Sequence, residues 1–196
     1  MNQPPAFLAS LLDAAGPSGF EVDAARLWRA EAETFADSVT TDVSGNTIAT
    51  VNPDGRPRIM LAGHIDEIGL QVTHIDEEGF LYIAGIGGWD PQVLVGQRVK
   101  ILGSPGGVVG VVGKKAIHLL KVAERKSASQ IDQLWVDVGV GSRAEATELG
   151  LRVGDAMVID AAMVRLAGDR IASRAIDNRI GAYVVLEALR LLSDLP

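Results

Sequence analysis

Hydrophobic periodicity changes twice along this 196-residue chain, and the two changes limit its fold more than any single motif does. From residue 68 the pattern breaks into short strands, 68–75, 80–84, 97–102 and 108–112. Turn signals separate them: Asp76-Glu77-Glu78-Gly79, the glycine-rich 85–88 stretch and Ser104-Pro105-Gly106-Gly107. A strand at 134–138, a short helix at 143–149 and a strand at 153–159 complete the run, and short strands so closely spaced predict a small barrel. Ahead of it, Ser18 and Glu21 have the spacing of a capping box for a helix over 19–36. A hairpin follows over 39–51 around Ser44-Gly45-Asn46, and then an apolar strand over 58–63. Behind it, 176–192 reads as one helix, apolar nearly all round, which expects burial on several sides. An α/β opening, a β insert and an α return imply a discontinuous α/β domain, residues 1–72 and 166–196, interrupted by a β-barrel insert over 73–165. The chain reaches Leu195-Pro196 after a helix that should lead into another strand, so the α/β domain reads as truncated at its C-terminus.

Composition narrows the chemistry. A formal charge of −7 with no basic stripe argues against a nucleic-acid partner, which would demand a basic face. With no cysteine there is neither a disulfide framework nor a thiolate metal site, so any bound metal must use histidine and carboxylates. No apolar run approaches the roughly 18 residues of a membrane span, and no charged-then-apolar leader opens the chain. The cytoplasm is the expected compartment. Aromatic residues at 5% leave an aliphatic core.

Three residues stand out as candidate site residues. The 58–63 run would deliver His64 and Asp66 at the carboxyl end of a strand, where open α/β sheets place their chemistry. Two apart on an extended backbone, they point the same way. A metal-binding imidazole usually donates its other N–H to a carboxylate, so Asp66 is either that orienter or itself a ligand. Asp177 opens the last helix as a third candidate. The plainer readings are a core histidine satisfied by Asp66 and, for Asp177, an ordinary helix N-cap. Glu67 falls on the other strand face and is assigned a structural role, and Arg179 is expected to pair with a nearby carboxylate. His74 and His118 are read as structural; Trp89-Asp90-Pro91 is either a cleft wall or a turn plug. The 107–114 glycine run misses phosphate-loop spacing, and Gly16-Pro17-Ser18-Gly19 misses the nucleophile elbow.

Taken together these segments resemble the tetrahedral (TET) aminopeptidases, a family that includes glutamyl and deblocking aminopeptidases, some once labelled endoglucanases. The resemblance runs through Gly16-Pro17-Ser18-Gly19-Phe20-Glu21, Gly63-His64-Ile65-Asp66-Glu67-Ile68-Gly69, Val136-Asp137-Val138-Gly139, Leu149-Gly150-Leu151-Arg152-Val153-Gly154-Asp155 and Ala175-Ile176-Asp177-Asn178-Arg179-Ile180-Gly181. It implies a metallo-aminopeptidase that removes N-terminal residues from peptides with two divalent ions, Zn²⁺ or Co²⁺. His64 would ligate one ion, Asp177 would bridge both, and Asp66 would support His64. It also implies that the barrel insert serves dimerisation on the way to a dodecamer. The family's Glu-Glu pair, a further Asp and a last His would fall past Pro196, so the chain as given is expected to be inactive by itself. The alternative from another class is a non-catalytic oligomerisation or binding module.

Overall fold

The computed structural model describes residues 4–122 and 124–193; Leu195 and Pro196, on which the expected C-terminal truncation turns, lie outside the described residues. The fold is mixed α/β and contains a closed six-stranded barrel. Two compact units emerge, one holding the N-terminal residues through Glu67 together with the chain from Ala162 on, the other holding Ile68–Ala161.

The second unit is the barrel. Its strands are β3 (Gly69–Ile75), β4 (Leu81–Ile86), β5 (Arg98–Ile101), β6 (Val108–Lys114), β7 (Leu134–Asp137) and β8 (Ala156–Ile159), with helix α3 (Arg143–Glu148) ahead of β8. They close in the order β3-β4-β7-β6-β5-β8, and β8 pairs back onto β3, every pairing antiparallel. Alternation decides which side chains fill it: Leu70 and Val72, Leu81 and Ile83, Val99 and Ile101, and Leu134 and Val136 point inward and are buried. On β3 the register shifts between Val72 and His74, a bulge that resets the parity and lets Ile75 turn inward as well. Pairing begins at Gly69, a few residues before the 73–165 limits read from periodicity, and ends at Ile159, a few residues inside them. The apolar alternation that fills the barrel already starts at Leu70. Trp89 donates its indole N–H to the Gly69 carbonyl at 2.7 Å and packs on the core, which makes it a plug. His74 stacks beside Tyr82, and His118 is exposed on a single 3-10 turn.

The first unit contains helices α1 (Ala6–Asp13), α2 (Val22–Ala32) and α4 (Ile176–Ser193), the hairpin β1 (Ser38–Thr41) with β2 (Thr47–Thr50), and the hairpin β9 (Val164–Leu166) with β10 (Arg170–Ala172). Its core joins Leu11, Trp28, Ala32, Ala182 and Leu186. Trp28 also donates its indole N–H to the Ala182 carbonyl at 2.9 Å, tying α2 to α4. The α1 helix and the β9–β10 hairpin are additions to the sequence reading. Two expectations are corrected. The helix expected over 19–36 runs only from Val22 to Ala32, because the Ser18 hydroxyl is engaged elsewhere and no side chain caps the α2 start. The strand expected over 58–63 has no ladder partner among the described residues, and Ile59, Met60 and Leu61 are 79%, 89% and 52% exposed. An extended apolar segment becomes a strand only when a neighbour takes its backbone hydrogen bonds.

Candidate metal centre

The first unit brings His64, Asp66 and Asp177 together on loop backbone. Gly63 makes the approach possible: a Cβ there would stand 2.7 Å from the Ala182 nitrogen and 2.9 Å from the Gly181 carbonyl carbon, so only glycine lets the loop lie against the α4 backbone. His64 Nδ1 lies 2.8 Å from Asp66 Oδ1, and His64 Nε2 lies 3.2 Å from Asp177 Oδ1. Asp66 also accepts a short hydrogen bond from the Ser18 hydroxyl. Burial pushes the Asp66 carboxyl up, but the hydrogen bonds from Ser18 and His64 outweigh it and leave its pKa lowered. An ionised carboxylate only accepts, so His64 must donate from Nδ1. That leaves the Nε2 lone pair aimed at an Asp177 oxygen, two acceptors face to face, an arrangement relieved by a cation or a proton between them. Two donors held by one tetrahedral ion at 2.0–2.2 Å would be separated by about 3.3–3.6 Å, so the 3.2 Å spacing, itself that of an ion pair, lies close to what one metal would require.

Asp177 is free for this role because its neighbour does the capping. Asp177 and Asn178 have non-helical dihedrals, and Asn178 Oδ1 accepts from the Gly181 N–H at 3.1 Å, the bond of an N-cap to its N3 residue. The plainer reading of Asp177 as the cap is thereby replaced, and its side chain is 93% exposed.

Beneath these residues lies a buried ion cluster that the sequence reading found only in part. Glu67 pairs with Arg174 at 2.9 Å and with Arg179 at 3.2 Å, and it accepts from the Gly16 N–H. Arg179, fully buried, donates to the carbonyls of Ile65, Leu11 and Ala14, and Arg174 donates to those of Asp13 and Ala14. Burial raises the Glu67 pKa, with the two guanidiniums pulling against it, and burial lowers that of Arg179. The cluster binds the 11–16 turn, the 65–67 loop and the start of α4 to one another. It fixes Glu67 in the structural role expected of it and supplies the carboxylate partner expected for Arg179. The signal in the sequence was a run of two charges, Arg174 and Arg179, flanking Asp177 beside an otherwise apolar helix.

His64 and Asp177 are two donors. Among the described residues no set of three or more His, Cys, Asp or Glu side chains is gathered for a metal, and Asp66 is turned towards Nδ1. A shallow depression lined by His74, Arg143, Thr147 and Arg152 lies on the barrel unit and includes none of the three. No helix among the described residues is long and apolar enough to cross a membrane.

Several known proteins are similar to this chain. Lysyl aminopeptidase of Pyrococcus furiosus is 38% identical over 160 residues, 81% of this chain and 46% of that protein. A TET aminopeptidase from the marine sediment archaeon Thaumarchaeota archaeon SCGC AB-539-E09 superposes with a TM-score of 0.91 at 38% identity, covering 96% of this chain and 53% of the other. The TET1 peptidase of Pyrococcus horikoshii, which can assemble into a tetrahedron or a large octahedral shell, has a TM-score of 0.84 at 32% identity over 96% of this chain and 56% of that one. The chain spans about half the length of the curated relatives it matches. Residues 45–196 match the M42 glutamyl aminopeptidases, and the chain belongs to that family.

Proposed function

We propose that this chain contributes one half of the metal site of an aminopeptidase acting on peptide N-termini, with His64 and Asp177 as ligands and Asp66 as the orienter of His64. The observation that carries the reading is the fixed His64 ring, whose Nε2 faces Asp177 across a gap of metal-ligand width. Two divalent ions, Zn²⁺ or Co²⁺, would acidify water and polarise the scissile carbonyl when bound. Asp66 holds the histidine with Nδ1 donating, which leaves Nε2 as the ring atom that would ligate a metal. Asp177, exposed and unburdened by capping, presents both oxygens, as a bridging carboxylate must. Glu67 is only 3% exposed and committed to two arginines, which removes it as a general base. The base and the remaining ligands would come from residues outside this chain. Homo-oligomerisation through the barrel unit and a cytoplasmic location belong to the same proposal.

The test is hydrolysis of aminoacyl chromogenic substrates with added Zn²⁺ or Co²⁺, comparing the 196-residue chain with a whole protein of the relatives' length. The long form should turn over and the short one should not. In the long form Asp66→Ala should weaken metal affinity by about 10–100-fold, and His64→Ala should abolish binding at that ion. Robust turnover by the short chain, or full metal affinity in His64→Ala, would sink the reading.

A further inference from the structure

The hydroxyl of Ser18 and the ring of His64 bond to opposite oxygens of one carboxylate, Ser18 to Asp66 Oδ2 and His64 Nδ1 to Asp66 Oδ1. We infer that Ser18 is a positioning residue for the metal centre: by holding Oδ2 it fixes the Asp66 carboxylate, and through it the tautomer and direction of His64.

Backbone geometry puts the hydroxyl there. Pro17 pairs with Glu67 in a parallel bridge; the Glu67 N–H donates to the Gly16 carbonyl at 3.0 Å and the Ser18 N–H to the Glu67 carbonyl at 3.2 Å. The 16–18 segment is thereby laid beside Asp66 and Glu67 in fixed register. The chain then turns sharply. The Phe20 N–H donates to the Pro17 carbonyl at 2.7 Å, and Gly19 has φ +88°, which places Ser18 and Gly19 at the two corners of a turn needing positive φ at the second. The Gly19 N–H is taken by Glu21 Oε1 at 2.6 Å, so Glu21 braces the turn in place of capping α2. A residue with the spacing of a helix cap therefore has its hydroxyl pointed at the carboxylate that engages His64 Nδ1. Without that bond, Asp66 Oδ2 is left to water and the carboxylate is free to rotate about its Cβ–Cγ bond, taking the His64 partner with it.

The importance of the orientation rests on the function proposed above, but the orientation itself is measurable without metal. The chain has three histidines, so a ¹⁵N-histidine spectrum at a pH where His64 is neutral, with His64→Ala for assignment, reports its tautomer directly. Wild type should be predominantly Nδ1–H. Ser18→Ala should lower the Nδ1–H to Nε2–H ratio, by up to about fivefold if the worth of one ordinary hydrogen bond is passed on through Asp66, and Ser18→Thr, which keeps a hydroxyl, should restore it. Zinc titration of a whole protein of the relatives' length, labelled in the same way, is the separate readout for the metal. If zinc leaves the His64 Nε2 signal untouched in that long form while Ser18→Ala still shifts the tautomer, the metal reading fails and the positioning role stands. A Ser18→Ala spectrum equal to wild type, or a Ser18→Thr spectrum equal to Ser18→Ala, overturns the role whatever zinc does.

Discussion

Arg179 shows how one side chain does several jobs once it is buried. Its guanidinium meets Glu67 and three carbonyls, and each of those acceptors lies more than 100 residues from Arg179 in the chain. An ion pair sealed from water gains little over an apolar pair, but removing one member leaves an uncompensated charge. Glu67→Gln should therefore destabilise the first unit by about 3–5 kcal/mol in denaturant melts. Arg179→Lys should fare little better than Arg179→Met, since an ammonium cannot reproduce the planar fork that reaches the carbonyls. A Glu67→Gln protein with an unchanged melting midpoint would mean that the cluster is not what ties these loops together. The histidines teach a related point. His64 and His74 both open the sequence His-Ile-Asp-Glu, and what separates His64 is the carboxylate on each ring nitrogen.

At the scale of elements, the turns and helix starts are where sequence pattern and structure part. Ser18 and Glu21 match a capping box, yet Ser18 bonds to Asp66 and Glu21 to the turn backbone, because a tertiary neighbour outcompetes the local N–H groups. In contrast, the β1–β2 hairpin behaves as its residues suggest. Asp42 accepts from the Asn46 side chain and from the backbone N–H groups of Ser44 and Asn46, a turn held by one carboxylate. The Asn46 side-chain bond is the main cause of its lowered pKa. A carboxyl whose folded pKa is depressed stabilises the fold above its ordinary value, 3.8, and loses that contribution as pH falls through the folded value. The amide signals of Ser44 and Asn46 should therefore hold through pH 5 and move only on further acidification, and Asn46→Ala should shift that transition to higher pH. Signals already moving near neutrality would contradict the assignment.

Across the whole molecule, apolar surface is the unresolved quantity. Ile59, Met60 and Leu61 on the loop and Val184, Leu191 and Leu192 on α4 are all more than half exposed, and exposed apolar groups in one unit favour association. The isolated chain should sediment as species heavier than 20.7 kDa, and Ile59→Asp with Met60→Asp should reduce them. Assembly through the barrel would survive those substitutions, so a distribution that does not respond would assign the association to the barrel.

The barrel strands, the β1–β2 hairpin and the last helix were all legible in the sequence, because period-2 alternation and helical apolar spacing are local patterns; the burial on several sides expected of the last helix is not met, since Val184, Leu191 and Leu192 are more than half exposed. His64, Asp66 and Asp177 could be singled out from motifs, and the structure sets His64 2.8 Å from Asp66 and 3.2 Å from Asp177. What the sequence could not show was the fate of segments whose hydrogen bonds lie far away in the chain. The 58–63 run has strand composition without a strand partner among the described residues, Asn178 takes the cap that Asp177 seemed to offer, and Ser18 serves a carboxylate 48 residues on. Periodicity decides which face of an element is buried; only the tertiary structure decides which donor reaches which acceptor, because that choice depends on distances between chain segments that no local pattern encodes.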